Sequence, residues 1–283
     1  MDEMLSIRIL LPAMEEAAQL ATSYYRHHDR LGTEVKPDQS VVTVADRAVE
    51  ALLRRAIAQH FPGCNVIGEE DKPDYDPSQP HTFIIDPIDG TMSFVNDTPG
   101  WAICVGVLDQ TCAPVAGIVY APAWDSVYLA DFDPVSPALL NDRPLPRMIQ
   151  APPIDSETTL LVDSKLFRTH YLHDFLGRCR GIGSMALHIC LVAQQRGYDF
   201  AHGDKLYAWD IAGAHAIAHR VGLTLRYIDG TPLEYTELLP DKPTLQHLAV
   251  GHASVLDAIC PKIVPLPPEL AAKSSSVIPN SGG

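Results

Sequence analysis

The chain has 283 residues, and its composition of 46% hydrophobic and 20% charged residues is ordinary for a globular protein with a substantial core. Its 35 acidic residues outnumber its 21 basic ones, and the net charge of −14 argues against a general nucleic-acid or anionic-membrane surface. The length allows one large domain or two closely joined halves.

The compartment is predicted from the N-terminus and the cysteines. Met1-Asp2-Glu3 is acidic and lacks the basic region and cleavage site of a signal peptide. No apolar run approaches the roughly 18 residues that a membrane span requires. The six cysteines are scattered without a Cys-x-x-Cys pair, so we expect reduced thiols in a cytoplasmic protein that does not bind membranes.

Two amphipathic helices are predicted near the N-terminus. The first covers 4–28, where Pro12 either kinks the helix or marks its true start near residue 11. Thr43 is the predicted N-cap of the second helix, which Pro62-Gly63 ends. Asp46 falls in its first turn, where the helix dipole favours an acid. The predicted buried positions of this second helix are Val49, Leu52, Leu53 and Ile57.

The most informative stretch is a predicted strand that ends at two acids. Residues 82–85 are β-branched and aromatic, and Asp86-Pro87-Ile88-Asp89-Gly90 follows. Pro87 biases Asp86 toward an extended conformation and Gly90 permits a tight turn, so both carboxylates are held at the strand end. Fixed carboxylates repel each other unless a cation lies between them, and Mg²⁺ prefers oxygen ligands. The stretch therefore predicts a divalent metal site.

The remainder of the chain predicts two different sheets. Strands over 101–108, 113–120 and 126–130 form an antiparallel meander. A proline-rich passage ends near residue 155, and helices and strands then alternate, which indicates a second set of α/β layers. The predicted strands are 159–162, 224–228 and 247–250, and the predicted helices are 165–176, 184–195, 210–221 and 254–259. We divide the chain into halves at 1–135 and 136–264, followed by a disordered tail at 265–283.

Three segments resemble the signature motifs of the inositol monophosphatase family. They are Gly68-Glu69-Glu70, Asp86-Pro87-Ile88-Asp89-Gly90-Thr91 and Trp209-Asp210-Ile211-Ala212-Gly213-Ala214. The order and the gaps also match, and the similarity extends over residues 5–262. The resemblance implies an α+β fold, an α-β-α-β-α sandwich with an antiparallel sheet in the N-terminal half and a mixed sheet in the C-terminal half. It also implies a homodimer and a Mg²⁺-dependent, often lithium-sensitive phosphatase that acts on a small phosphorylated metabolite.

The resemblance assigns the metal ligands. Glu69, Asp86 and the Ile88 carbonyl would hold one ion, and Asp86, Asp89 and Asp210 a second. A weaker third ion would lie near Glu69, with Glu70 as an outer ligand. Two or three Mg²⁺ ions are therefore expected.

Other residues of the same motifs would act on water, phosphate and substrate. Thr91, hydrogen-bonded to Asp46, would orient or deprotonate the attacking water, with Glu69 as a further catalytic residue. The backbone amides of Gly90 and Thr91 would bind the phosphate. Lys36 is a further candidate for phosphate binding. The expected substrate contacts are Gly90, Thr91, Gly183, Ser184 and Asp210.

Each assignment has an ordinary structural alternative. The acidic run at 69–71 is typical of a solvated loop, Asp210 of a helix N-cap, and Asp46 of a first-turn acid. The three motifs together favour the metal site. A regulatory protein on an inactive enzyme fold is disfavoured because all five expected carboxylates are present.

A distant alternative is an NAD(P)-dependent oxidoreductase. Gly181-Ile182-Gly183-Ser184-Met185-Ala186 has the spacing of a dinucleotide-binding turn. The preceding residues 177–180 are too polar for the buried parallel strand that such a turn needs. His215 and His219 are four residues apart on one predicted helix, but they lack a nearby acidic ligand for zinc.

The substrate is left open by one departure from the family pattern. Inositol-specific members carry a glutamate seven residues before the aspartate of the third motif, whereas this chain has Gly203, flanked by His202 and Asp204. Either neighbour is a candidate replacement. We expect inositol 1-phosphate or a related sugar or polyol phosphate. Histidinol phosphate, fructose 1,6-bisphosphate and adenosine 3′,5′-bisphosphate are the alternatives.

Overall fold

The computed structural model describes residues 5–27, 32–35, 41–163, 166–267 and 269. Lys36, the predicted helix start at residue 4 and nearly all of the predicted tail lie outside these ranges. None of the helices within them is long and apolar enough to cross a membrane. All six cysteines lie in the described part of the chain and are unpaired, as predicted.

Two long helices cover one face of the N-terminal sheet. Helix α1 (Leu11–Tyr24) follows a 3₁₀ turn, so Pro12 lies in its first turn, where its missing N–H is not needed. The start near residue 11 is therefore the correct alternative. Helix α2 (Val44–His60) begins with a capping box between Thr43 and Asp46, as the sequence predicts for its N-cap. A short ribbon, β1 (Glu34–Val35) and β2 (Val41–Val42), precedes it.

The N-terminal sheet has seven strands in chain order. Strands β3 and β4 are parallel, and the others pair antiparallel, which confirms the predicted meander. The one-turn helix α3 (Thr91–Val95) follows β4. The strands are β3 (Asn65–Gly68), β4 (His81–Asp89), β5 (Ala102–Asp109), β6 (Pro114–Ala121), β7 (Ser126–Ala130), β8 (Leu139–Leu140) and β9 (Arg143–Pro144).

The C-terminal sheet is mixed, as predicted, with the strand order β12-β10-β13-β15-β14. Strand β10 pairs parallel with β12 and β13, while β15 pairs antiparallel with β13 and β14. The strands are β10 (Thr159–Val162), β12 (Arg178–Arg180), β13 (Phe200–Gly203), β14 (Thr224–Tyr227) and β15 (Leu248–Gly251). The helices are α4 (Leu166–Thr169), α5 (Met185–Ala193), α6 (Ala208–Arg220), α7 (Tyr235–Leu238) and α8 (Ala253–Ile259).

The elements stack as the predicted α-β-α-β-α sandwich. Alternate residues of β4 point to opposite faces of the sheet and pack in two different hydrophobic cores. Phe83 and Ile85 pack with α1 and α2, whereas Ile84 faces the layer of α5 and α6. The α5 and α6 layer lies between the two sheets. Helix α8 covers the other face of the C-terminal sheet, against Leu160 and Phe200. Buried residues on both sides of residue 135 share the central core, and the division at that residue stays a prediction.

The helix predicted at 165–176 is wrong. Helix α4 ends at Thr169, and β11 (His170–Leu172) follows and pairs antiparallel with β16 (Ile263–Pro265). A distant strand therefore sets the backbone conformation here, and local helical spacing does not reveal it. The proline-rich passage also contains β8 and β9, which extend the N-terminal sheet.

Glycines bring α6 close to the N-terminal sheet. A Cβ atom at Gly117 would lie 2.2 Å from the carbonyl oxygen of Gly213, and one at Gly106 would lie 2.5 Å from the Gly213 nitrogen. The helix and the strands β5 and β6 therefore approach at backbone contact distance. This close approach sets the position of the first turn of α6, which carries Asp210.

Gly117→Ala should destabilise the fold. The added methyl group would push α6 away from β6, because the atom it meets is backbone rather than a flexible side chain, at a cost of about 1–3 kcal/mol. Urea unfolding measures the loss. Ala113→Ser also adds one heavy atom, at an exposed position beside β6, and is the control. Equal unfolding midpoints for the two variants would contradict the close packing.

Candidate metal centre

Three carboxylates converge where β4 ends and α6 begins. One oxygen from each of Asp86, Asp89 and Asp210 lies within 4.8 Å of the other two. Asp86 and Asp89 are 1% and 5% exposed, and the register of β4 against β5 shifts between them. That irregularity places both acids of one strand at the same site, since regular alternation would separate residues three apart. Asp210 comes from the first turn of α6.

The electrostatics of this cluster fit a cation. Burial raises the pKa of Asp86 well above its usual range, and the charges of Glu69, Asp89, Asp210 and Asp46 raise it further. Burial also raises the pKa of Asp89 to about 6, although hydrogen bonds oppose the shift. Buried carboxylates that repel one another are costly unless a positive charge compensates them. An all-oxygen donor set suits a hard divalent ion such as Mg²⁺.

Asp89 is fixed by the start of α5. The Ser184 hydroxyl donates a hydrogen bond of 2.6 Å to Asp89 Oδ2, and the backbone N–H of Ala186 donates one of 2.7 Å. The Met185 N–H donates to Asp89 Oδ1 at 3.3 Å. A helix N-terminus favours negative charge, and here an internal aspartate occupies it.

This contact explains the glycine-rich turn at 181–186. Strand β12 before the turn is parallel to β10, but it lies at the sheet edge with both arginines exposed. The turn therefore lacks the buried strand of a dinucleotide-binding fold, as the sequence indicates. Ser184 is wholly buried and its hydroxyl donates to Asp89, while its expected contact with substrate hydroxyls stays a prediction.

Asp210 and Asp86 are also held by local backbone donors. The Tyr207 N–H donates to Asp210 Oδ2 at 2.6 Å, which completes a capping box at the start of α6. The Ile88 N–H donates to Asp86 Oδ1 at 3.1 Å. Asp210 is thus a capping acid of α6, the ordinary structural role that the sequence analysis left open for it, and it is also a member of the cluster. The two explanations of this residue are compatible.

The predicted hydrogen bond between Thr91 and Asp46 is not formed in the described structure. The Thr91 hydroxyl donates to the Ile88 carbonyl at 3.1 Å instead. Asp46 Oδ2 accepts hydrogen bonds from the Thr43 N–H and hydroxyl, at 2.8 and 2.5 Å. Asp46 Oδ1 is buried and has no hydrogen-bond partner among the described residues, and burial raises the pKa of this carboxyl to about 6. An unpaired buried acceptor beside the cluster is consistent with a missing donor or cation.

The Glu69 loop is held by a buried acid that the sequence analysis missed. Glu50, which is 2% exposed, accepts hydrogen bonds from the backbone N–H groups of Glu70 and Asp71 at 2.8 and 2.9 Å. Arg54 donates to Glu50 at 2.8 Å, and to the carbonyls of β3 and the loop. An acid within the apolar stripe of α2, four residues before an arginine, is the signal that could have revealed this pair.

Two members of the cluster, Asp89 and Asp210, line a cavity of about 700 Å³. Of the predicted residues, Glu69, Asp89, Gly90, Thr91, Gly183 and Asp210 line it. Gly90 has φ +88, which suits a residue without a side chain, and α3 begins immediately after it. Gly203 and Asp204 line another part of the cavity, whereas His202 is fully buried. Asp204 is therefore the neighbour of Gly203 that faces the ligand space.

The model of the inositol monophosphatase family matches residues 2–259. The chain belongs to the inositol monophosphatase family. Enzymes of this family are metal-dependent phosphatases, so the chain is a hydrolase that acts on phosphate monoesters.

Curated relatives differ in their substrates. Inositol monophosphatase 1 of Solanum lycopersicum is 29% identical over 248 residues, which cover 82% of this chain and 89% of the relative. Histidinol-phosphatase of Mycobacterium tuberculosis is 31% identical over 212 residues, which cover 71% of this chain and 79% of the relative. The 3′(2′),5′-bisphosphate nucleotidase CysQ of Escherichia coli K12 is 28% identical over 208 residues, which cover 71% of this chain and 82% of the relative. Sequence identities at this level establish the family of the chain but do not determine which substrate it hydrolyses.

The fold is also found among solved structures. The extragenic suppressor protein suhB of Bartonella henselae superposes with a TM-score of 0.74 at 18% identity, over 96% of this chain and 99% of that protein. This likeness supports the layered architecture.

Glu50→Gln should weaken the Glu69 loop. The change places an amide against two backbone N–H groups and a guanidinium, so about 1–3 kcal/mol of stability is lost. Urea unfolding and calorimetric Mg²⁺ titration both test it, and a weaker metal affinity is expected because Glu69 is less firmly held. Glu16→Gln, on the exposed face of α1, is the control. Unchanged metal affinity and stability in Glu50→Gln would show that the loop does not depend on this carboxylate.

Proposed function

We propose that the protein hydrolyses a small sugar or polyol phosphate, with inositol 1-phosphate as the first candidate, using two or three Mg²⁺ ions. The observation that carries the proposal is the set of three carboxylates from Asp86, Asp89 and Asp210, of which Asp89 and Asp210 line a cavity of about 700 Å³. Family membership supplies the reaction class. The donor set supports the metal, because nitrogen and sulfur ligands are absent from this three-residue group.

The ions would be held by groups of this chain that are already fixed in position. Asp86, Asp89 and Asp210 are each oriented by backbone donors, and Glu69 stands on the loop that Glu50 secures. The Ile88 carbonyl completes the proposed set. When bound, the ions polarise the phosphoryl group, activate a water and neutralise the leaving oxygen.

The remaining proposed roles belong to the turn after β4. Gly90 and Thr91 line the cavity, and their backbone amides would bind phosphate oxygens. The Thr91 hydroxyl, which donates to the Ile88 carbonyl, retains oxygen lone pairs that can accept a hydrogen bond from the reacting water. Asp46 offers its unpaired Oδ1 as a second acceptor. Thr91 would orient the water, and the carboxylate of Asp46 or Glu69 would receive its proton.

Substrate choice is tested with a panel of monoesters. It contains inositol 1-phosphate, histidinol phosphate, fructose 1,6-bisphosphate and adenosine 3′,5′-bisphosphate, and phosphate release is measured with Mg²⁺, with chelator and with added Li⁺. We expect release that requires Mg²⁺ and is fastest for inositol 1-phosphate. A faster reaction with another ester would replace the proposed substrate. Equal release in chelator would overturn the metal mechanism.

Asp89→Asn should reduce turnover by more than about 100-fold with little change in fold, because it removes a ligand charge at nearly constant volume. Circular dichroism checks the fold, and calorimetric titration checks the loss of Mg²⁺ binding. Asp257→Asn, on the exposed side of α8, is the matched control. Wild-type turnover in Asp89→Asn would refute the assignment of this ligand.

The expected cellular context is part of the same proposal. We infer a cytoplasmic homodimer. Light scattering of the purified protein tests the oligomeric state, and a mass of one chain would contradict it.

A further inference from the structure

A buried histidine lines the cavity behind the glycine-rich turn. His188 lies on α5, four residues after Ser184, and is 3% exposed. Its ring is directed back toward the start of the helix, as helical side chains are, and its Nε2 atom accepts a hydrogen bond of 3.0 Å from the Ile182 N–H. His188 lines the cavity together with Ile182, Gly183 and Asp89. The ring therefore lies among the helix, the turn and the ligand space.

The hydrogen bond from Ile182 determines which nitrogen of His188 carries a proton. A backbone N–H can only donate, so Nε2 presents its lone pair and is unprotonated. Burial lowers the pKa of His188 to about 4, although the charge of Asp163 opposes the shift. The ring is therefore neutral at pH 7, and its single proton is on Nδ1.

The Nδ1–H group of His188 is a buried donor without a partner. Nδ1 makes no hydrogen bond to any residue that the structure describes. Asp163 acts on the ring through its charge, not through a hydrogen bond to this atom. An unpaired buried donor is costly, and such groups in native proteins usually pair with a water, an ion or a ligand. A ligand that fills the cavity lined by His188 can supply the missing acceptor.

The turn that holds the ring is fixed from its other side. The Ile182 carbonyl accepts a hydrogen bond of 3.2 Å from the Ser93 hydroxyl on α3. A Cβ atom at Gly100 would overlap the same carbonyl oxygen, so the two backbones are in close contact. Both polar backbone groups of Ile182 are thus held in place. The Nε2 atom of His188 stays committed to the turn, and the direction of its Nδ1–H group is fixed accordingly.

The surroundings of His188 suit the alcohol part of an ester better than its phosphate. The proposed phosphate contacts, Gly90 and Thr91, follow β4, whereas His188 lies on α5 within reach of the charge of Asp163. Phosphate oxygens beside Asp163 would be repelled by its carboxylate. A neutral hydroxyl meets no such repulsion, and its oxygen can accept a hydrogen bond from the His188 N–H.

We propose that His188 selects the substrate by donating its Nδ1–H to a hydroxyl oxygen in the alcohol part of a sugar or polyol phosphate. This inference rests on the proposed phosphatase function. His188 is a specificity residue, in which Nε2 fixes the ring and the Nδ1–H group makes the contact. A group that can only donate, such as an ammonium, is disfavoured at this point because the ring offers it no acceptor.

Two amide variants separate the roles of the two ring nitrogens. His188→Gln places an amide oxygen near the position of Nε2, so it keeps the acceptor for Ile182 and loses the donor. His188→Asn places an amide nitrogen near the position of Nδ1, so it keeps the donor and loses that acceptor. The measured quantity is the ratio of kcat/KM for inositol 1-phosphate to kcat/KM for phenyl phosphate, whose leaving group has no further hydroxyl.

His188→Gln should lower this ratio by about 3- to 10-fold, the usual effect of losing one hydrogen bond. His188→Asn should leave the ratio within about twofold of wild type, because a loosened turn affects both esters alike. His219→Gln, at an exposed position on α6, is the control. Equal ratios for the Asn and Gln variants would show a purely structural role and overturn the proposal.

Unfolding in urea checks that the two variants differ as designed. His188→Asn should have the lower midpoint, because it leaves the Ile182 N–H without its acceptor. An equal or lower midpoint for His188→Gln would contradict the role of Nε2.

A spectroscopic test does not depend on activity. Nitrogen-15 NMR of the wild-type protein at pH 7 should show His188 with its proton on Nδ1, and its signals are identified by their absence from the spectrum of His188→Gln. A proton on Nε2 would overturn the proposal.

The outcomes also separate the two proposals. If no ester is hydrolysed in Mg²⁺, the proposed function fails, whereas the NMR spectrum still tests the state of His188. If both esters are hydrolysed and His188→Gln leaves their ratio unchanged, only the role of His188 fails.

Discussion

Mutual repulsion among buried carboxylates governs the organisation of this protein. Asp86, Asp89 and Asp210 bring oxygens within 4.8 Å of one another, in a region where burial and neighbouring charge both raise the pKa of Asp86. Each carboxylate accepts a backbone N–H that fixes one of its oxygens. The fold therefore supplies enough local donors to hold the acids together, and leaves the remaining negative charge for a cation. A cation bound at this cluster would therefore also stabilise this region.

The layered architecture is what brings these acids to one place. Helices α5 and α6 form the middle layer, and both begin at the cluster, where the first donates to Asp89 and the second carries Asp210. The backbone contact of α6 with β5 and β6, at Gly106, Gly117 and Gly213, sets the distance between the acids of β4 and the acid of α6. On the opposite side of the sheet, Glu50 of α2 fixes the loop that bears Glu69. Packing on both faces of one sheet thus determines the geometry of one site.

The motifs predicted the composition of the site better than its internal contacts. Asp86, Asp89 and Asp210 of the second and third motifs lie together as the sequence predicts, and their role as metal ligands, with Glu69 of the first motif, stays a prediction. The Thr91 and Asp46 contact was not found, since a hydroxyl takes whichever acceptor the turn presents, and here that is the Ile88 carbonyl. Ser184 was assigned to the substrate, whereas its hydroxyl holds Asp89. Such choices depend on distances between segments far apart in the chain.

Local sequence was sufficient for the elements with strong periodicity or caps. The Thr43 cap, the strand that carries Asp86 and the meander that follows all depend on short-range steric and hydrogen-bonding preferences, which act within a few residues. Tertiary contacts decided the rest. Residues 170–172 form a strand because they pair with β16. Asp204 lies near His247 because β13 and β15 are neighbouring strands. No local pattern encodes those pairings, because their free energy comes from groups that meet only when the whole chain has folded.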